Sequence, residues 1–133
     1  MPVKSTIDPN SGVIVHAVSG DISPDDLLRA LDGIVDHPLY QLGSDALWDF
    51  SGAVVSNFEG KVLRNLVRGV RERLATRGKG FKVALVAPRD IDYGLARMYE
   101  AYASELPILL SVFRSSGDAW DWLSREAGKP PET

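Results

Sequence analysis

The sequence predicts an α/β fold in which a mixed sheet of four or five strands carries four helices, in the order ββαβαβαβα. Short apolar, β-branched segments alternate along the chain with longer segments whose apolar residues recur at helical spacing. This alternation is typical of parallel strands joined by helical crossovers. Two of the strand segments, 81–87 and 108–113, are almost continuously apolar, as expected of central strands covered by helices. The first two strands follow each other directly and predict an antiparallel hairpin at one edge.

The bulk properties of the chain favour one soluble domain. We expect that domain at residues 1–127 and a disordered tail at 128–133, among 133 residues that are 44% hydrophobic and 25% charged. The absence of cysteine excludes disulfides, thiolate metal sites and cysteine nucleophiles. The start, MPVKSTIDPN, has no apolar stretch of signal-peptide type, and no apolar run approaches the ~18 residues of a membrane span. The sequence therefore predicts a cytoplasmic protein without a membrane span.

Charge is distributed unevenly along the chain. The net charge of −3 argues against nucleic-acid binding by the surface as a whole. The segment 61–82 is nevertheless strongly basic and contains one acidic residue, Glu72. Arg64, Arg68 and Arg71 follow the spacing of one helical face. Such a face either contacts solvent or meets an anionic partner, and the sequence leaves both interpretations open.

The first strands and the first helix carry clear local signals. Strands are predicted at 3–7 and 13–18, and the segment DPNSG between them is rich in turn-forming residues. Ser23 followed by Pro24 predicts a helix start, because serine caps helices and proline suits the first helical position. The helix should stop before Pro38, since the residue preceding a proline disfavours helical backbone.

The middle of the chain is predicted to hold a strand at 45–50 and a helix at about 57–76. Ser56 and Glu59 have the Ser-x-x-Glu spacing of a capping box, in which the serine side chain binds a backbone N–H of the first helical turn. The glycines of the segment GKG, at 78–80, should end this helix.

The C-terminal half repeats the strand–helix pattern. A strand at 81–87 precedes a helix at about 90–105, and a strand at 108–113 precedes a final helix at about 116–126. Ser115 or Ser116 is expected to cap the final helix.

Four segments, taken in this order, resemble the SpoIIAA-like family of small bacterial proteins with the STAS fold. They are GDISPDDLLRAL, ALWDFSGA, KVALVAPRDIDYGLARMYEAYA and VFRSSGDAWDWL, and the resemblance covers roughly residues 10–125. It implies a non-enzymatic regulatory or protein-interaction module, since the better-understood relatives are anti-sigma-factor antagonists. The family is also described as STAS/SEC14-like, which implies the alternative of a small-molecule or lipid carrier.

The antagonists end a strand in an Asp-Leu-Ser-Gly-like segment and carry a phosphorylated serine at the start of the next helix. The segment DFSG at 49–52 is similar to that strand end. The position of the phosphorylated serine falls near Phe58 or Glu59, and the nearest hydroxyl is that of Ser56. Ser56 is therefore either a helix cap or an anion-binding or phosphorylated residue.

Six polar residues are candidates for ligand or partner binding: Asp49, Ser51, Ser56, Asn57, Tyr93 and Arg97. Asp49 is expected at a strand end, on the side of an open α/β sheet where ligands bind. Tyr93 and Arg97 share a helical face next to Gly94 and begin just after another strand end, near the same sheet edge as Asp49. Asp49, Ser56, Tyr93 and Arg97 are therefore candidates for the lining of one small polar pocket. The alternatives are structural: a loop tied down by Asp49, and an ion pair between Arg97 and an acid.

No catalytic residue, metal ligand or cofactor is expected. Nucleophilic catalysis needs a base beside the nucleophile, and the two histidines, His16 and His37, are far apart and poorly placed for this role. The segment RGKG at 77–80 does not match a phosphate-binding loop. An enzyme that uses Asp49 with Tyr93 or Arg97 is the least favoured class.

The expected partner is another protein or a second copy of the chain, which makes a homodimer. The edge strand at 3–7 and the aromatic surface around Trp120 and Trp122 are the expected contacts. A carrier would instead bind a small apolar or anionic ligand in a cavity of roughly 300 Å³ or more. That cavity would lie under the third helix, with Met98 and Tyr102 in its lining. An interaction module would have a filled core and an apolar surface patch.

Overall fold

The computed structural model describes residues 2–55 and 58–125. Within these ranges it contains five strands and five helices: β1 Val3–Ile7, β2 Ile14–Asp21, α1 Pro24–Ile34, β3 Ala46–Val54, α2 Gly60–Arg71, α3 Leu74–Arg77, β4 Lys82–Val86, α4 Asp90–Tyr102, β5 Leu109–Phe113 and α5 Ser116–Leu123. The strands form one sheet in the order β1-β2-β3-β4-β5. β1 is antiparallel to β2, and the other neighbours are parallel. The predicted α/β fold with an antiparallel edge hairpin is confirmed.

The two faces of the sheet are covered differently. Successive side chains of a strand point to opposite faces, so each strand contributes to two layers. On the first face, which we call the three-helix face, Trp48, Leu85 and Val112 pack with side chains of α1, α2 and α4. On the second face, which we call the α5 face, Leu47 and Val86 pack against α5. The larger core therefore lies on the three-helix face.

The helix caps are where the local sequence signals placed them. The Ser23 side chain accepts a hydrogen bond from the backbone N–H of Asp26, and the Asp26 carboxylate accepts one from the backbone N–H of Ser23 at 2.9 Å. This reciprocal pair closes a capping box, with Pro24 in the first helical position. Ser115 caps α5 in a similar way, by accepting from the backbone N–H of Asp118 at 3.2 Å.

The helix predicted at 57–76 is instead two helices. α2 begins at Gly60 with Glu59 as its N-cap residue, so the predicted start through a Ser56–Glu59 capping box is wrong. Val55 and Phe58 are buried, and residues 58–59, which directly precede α2, are not helical. The short α3 follows α2, and Gly78, whose φ is +89°, ends it. Four helices were therefore expected where the described chain has five.

The third strand is longer than its predicted span of 45–50. β3 continues to Val54 because β2 also continues, and the two strands pair again at Ser19 with Gly52 after a register shift between Ala17 and Ser19. Asp49 consequently lies inside a strand rather than at its end. Among the described residues, no helix is both long and apolar enough to cross a membrane. The tail predicted at 128–133 lies outside the described residues.

Candidate functional site

A cavity of about 110 Å³ lies between the three-helix face of the sheet and the helices that cover it. β3, β4 and β5 supply its floor, and the nearest helices supply its walls, through residues that include Trp48, Leu85, Leu110, Leu27, Leu31, Leu63, Leu66, Leu95, Ala96 and Tyr99. The volume is smaller than the roughly 300 Å³ expected for a carrier of larger molecules. It approaches the ~150 Å³ of cavities that hold benzene in other proteins. The space suits a small molecule with few heavy atoms.

Helix α4 forms one wall of this cavity. Asp92 is its one fully buried residue, although the helix has thirteen residues. The inner stripe of α4 borders the cavity through Asp92, Leu95, Ala96 and Tyr99, which recur at the spacing of one helical face. Its outer side exposes Ile91 by 64% and Met98 by 41%. The apolar side chains with which α4 packs on the core, among them Leu95, Ala96 and Tyr99, are thus partly buried.

The two residues that the sequence placed in a cavity are not in its lining. Met98 lies on the outer side of α4, because its position around the helix axis is rotated away from the inner stripe. Tyr102 is half-buried against α2, where the guanidinium of Arg64 lies 5.1 Å from the centre of its ring. The space under this helix is smaller than the carrier alternative required, and neither of the two residues named for it contributes to its lining.

Three charged residues line this mainly apolar cavity, and two of them have partners of opposite charge. The carboxylate of Asp92 accepts a hydrogen bond from Nε of Arg89 at 2.5 Å. Arg73 pairs with Asp32 at 2.7 Å, and its hydrogen bond to that carboxyl lowers the pKa of Asp32. The third residue, Arg77, is buried against the ring of Phe81.

The buried His16 lies next to the cavity wall. Its ring stacks on Trp48 with the centroids 3.8 Å apart, and its Nδ1 atom is 2.7 Å from Oγ of Ser5. Burial, and secondarily the charge of Arg77, lower the pKa of His16 to about 3. His16 is therefore neutral near pH 7. Within residues 2–55 and 58–125, no group of three histidine, aspartate or glutamate side chains is arranged to hold a metal ion.

The structure separates the candidate residues that the sequence placed at one edge. Asp49 shares the α5 face with Leu47, and its Oδ1 accepts a hydrogen bond from the backbone N–H of the exposed Ser51 at 2.9 Å. The helix α4, with Tyr93 and Arg97, covers the opposite face. Asp49 therefore does not share a polar pocket with Tyr93 and Arg97. Ser56 and Asn57 lie outside the described residues.

Tyr93 and Arg97 make the contacts of the structural alternative. The guanidinium of Arg114 lies 4.2 Å from the centre of the Tyr93 ring. Arg97 pairs with Glu100 at 3.0 Å, one turn further along α4, and its side chain is largely exposed. Neither residue lines the cavity. Their role in binding a ligand or partner stays a prediction.

Sequence reasoning missed the residues that do line the cavity, above all Ala96, Tyr99 and Arg77. Apolar residues such as Ala96 follow the same helical spacing whether they fill a core or border a space, so the pattern carries no signal for a cavity. The sequence weakly indicates that Arg77 lies near the core, because this basic residue stands directly before the GKG segment, between a predicted helix and an apolar strand.

Comparison with solved structures identifies the fold. A protein described as an uncharacterised member of the DUF3478 family with a SpoIIAA-like fold, from Shewanella loihica PV-4, matches with a TM-score of 0.52. The match covers 91% of each chain at 15% sequence identity. The chain has the SpoIIAA-like fold. The predicted resemblance is thereby confirmed at the level of the fold. No family model and no curated protein matches this sequence.

Proposed function

We propose that this SpoIIAA-like protein is a non-enzymatic module that binds a small, mainly apolar molecule in the cavity beneath α4. The observation that carries the proposal is the apolar cavity of about 110 Å³ in the main core. The space is a partly open pocket lined mainly by apolar side chains, which is the arrangement typical of small-molecule sites. This proposal develops the carrier alternative that the SEC14-like resemblance implied.

The size of the cavity limits the ligand and its affinity. A ligand with about six to eight non-hydrogen atoms is comparable to the benzene that cavities of ~150 Å³ admit. Ligands of this size gain between about 0.3 and 1.5 kcal/mol per non-hydrogen atom. An intermediate efficiency gives a dissociation constant of roughly 0.1–1 mM for a simple apolar probe. A larger ligand would require α4 to move outward.

The chemistry around the cavity supports binding rather than catalysis. Asp92 is engaged by Arg89, which also donates to the backbone carbonyl of Ala53. Burial raises the pKa of the Tyr99 hydroxyl, so this group does not supply a base near neutral pH. A nucleophile beside a free base, which covalent catalysis needs, is not found among the described lining residues.

A protein-interaction role, including a homodimer, is the second candidate. It is favoured by the exposed apolar residues Ile91 and Met98 on the outer side of α4, seven residues apart on one helical face. Sedimentation equilibrium of the wild type and of Met98→Lys tests this candidate. A dimer that the substitution dissociates would support it, and a monomer at all concentrations would rule out the homodimer.

Methyl-group NMR tests the binding proposal directly. Titration with 1-hexanol should shift methyl signals of cavity residues such as Leu27, Leu85 and Leu95. Signals from Leu47 and Leu123, which belong to the separate cluster under α5, should stay unchanged and provide the internal control. Absence of any saturable shift, or shifts confined to exposed leucines, would contradict the proposal.

A further inference from the structure

Arg77 is a buried guanidinium in the wall of the cavity. The residue is 3% exposed, and its guanidinium carbon lies 4.3 Å from the ring centre of Phe81 and 5.8 Å from that of Tyr40. Nη2 donates to the backbone carbonyl of Ser44 at 3.0 Å, and Nη1 is 3.5 Å from the Tyr40 hydroxyl. Nε is buried and has no hydrogen-bond partner in the described structure. Several of the five guanidinium N–H donors therefore remain available.

No acidic side chain in the described ranges balances this charge. The ion pairs of the other charged lining residues are complete, since Arg73 pairs with Asp32 and Asp92 pairs with Arg89. Within residues 2–55 and 58–125, no carboxylate lies within 4.0 Å of Arg77. A buried charge is normally paired, because removing it from water is costly. Arg77 thus differs from every other charged residue of the lining.

The neighbourhood of Arg77 preserves its positive field. The nearby His16 is neutral near pH 7, so it does not add a second charge to the site. The charge of Arg77 contributes to the lowered pKa of His16, which shows that the two groups interact electrostatically. The Ser44 carbonyl and the two aromatic rings hold the guanidinium in place without neutralising it. An apolar cavity that contains a single uncompensated cation favours an anion with an apolar body.

We infer that the ligand of the cavity is a small monocarboxylate with an apolar body of about five carbon atoms, whose carboxylate pairs with Arg77. This inference rests on the proposed function. A planar guanidinium matches a carboxylate with two parallel hydrogen bonds, and such charge-assisted bonds are stronger than neutral ones. A phosphate carries close to two negative charges, so its desolvation would exceed what one lining cation offsets. The hydrocarbon part would contact Leu85, Leu95 and Tyr99.

The experiment compares three probes that share a six-carbon chain: hexanoate, 1-hexanol and hexylamine. Isothermal titration calorimetry at pH 7 should show hexanoate binding about tenfold or more tightly than 1-hexanol, with no detectable hexylamine binding. In Arg77→Met the hexanoate affinity should fall to the level of 1-hexanol. Arg73→Met is the matched control, because Arg73 also lines the cavity but already pairs with Asp32, and it should keep the preference.

The outcomes separate this inference from the proposed function. Wild-type protein that binds 1-hexanol at least as tightly as hexanoate would overturn the carboxylate inference and leave the binding function standing. Failure to bind either probe would overturn the proposed function itself. If Arg77→Met does not fold, the NMR signal of the Arg77 side-chain Nε–H in the wild-type protein tests the inference instead. It should shift with hexanoate and not with 1-hexanol, and an unmoved signal would overturn the inference.

Discussion

Filling the cavity from α4 should stabilise the protein and at the same time remove its binding site. Ala96 lies on the inner stripe of α4 and borders the cavity, so Ala96→Leu adds three carbon atoms to that space. Each buried methylene contributes about 0.8 kcal/mol, which gives an upper limit of about 2.4 kcal/mol. Lost rotamer freedom of the leucine removes about 0.5–1 kcal/mol. The expected net gain in the free energy of unfolding is about 1.5–2 kcal/mol, equivalent to an increase in Tm of roughly 5–8 °C.

Urea unfolding followed by circular dichroism, together with calorimetric titration of 1-hexanol, measures both effects. The variant should be more stable and should bind 1-hexanol at least about tenfold more weakly, because probe and leucine compete for the same space. Ala101→Leu is the matched control, since Ala101 is exposed on the same helix and should change stability by less than about 0.5 kcal/mol. Destabilisation of Ala96→Leu by more than about 1 kcal/mol would show overpacking and refute the cavity. Increased stability with unchanged affinity for 1-hexanol would show that 1-hexanol binds outside this cavity.

Three further predictions concern pH, backbone freedom and capping. Burial lowers the pKa of His16 to about 3, whereas a histidine in the unfolded chain titrates near 6.5. The unfolded state then binds the additional proton between these values, so stability should fall as pH decreases from about 6.5 towards 3. His16→Gln should flatten this profile in urea unfolding at pH 4–7, and parallel profiles would contradict the assignment. A Cβ at Gly94 meets no atom within 4 Å, so Gly94→Ala should stabilise α4 by up to about 1 kcal/mol. Gly78→Ala should destabilise the protein, because φ at Gly78 is +89° and the added Cβ would lie 2.9 Å from the backbone N of Gly43. Equal shifts in Tm for the two variants would refute this contrast. Ser23→Ala should lower the free energy of unfolding by about 1 kcal/mol, and an unchanged urea midpoint would show that the capping box contributes nothing.

The parts of the fold that local chemistry determines could be predicted from the sequence. Ser23 with Pro24 marks the start of α1 through hydrogen bonds made within one turn, and the same holds for Ser115 at α5. The parallel strands follow from their continuous apolar character. The length of β3 could not be predicted, because the segment Ser51–Gly52 becomes a strand only by pairing with the extended end of β2. Pairing between distant segments overrides local turn propensity.

The candidate site was harder to predict for two physical reasons. The face on which a strand residue lies depends on its register, and a shift of one residue moves a side chain to the other face. Asp49 was therefore expected beside Tyr93 and Arg97, although it lies on the α5 face. A cavity, moreover, exists where the side chains of the sheet and of the covering helices together do not fill the space between them. Residues such as Trp48 would serve equally well in a filled core.

The proposed function requires that the core beneath α4 contain a space that admits a small apolar guest. A crystal structure of the protein under xenon pressure tests it most directly, because xenon enters dry apolar cavities without needing a hydrogen bond. We expect xenon density between Trp48, Leu85 and Tyr99, and we expect its loss in Ala96→Leu. Side chains that close this space, or xenon bound only at other positions, would contradict the presence of a binding cavity beneath α4.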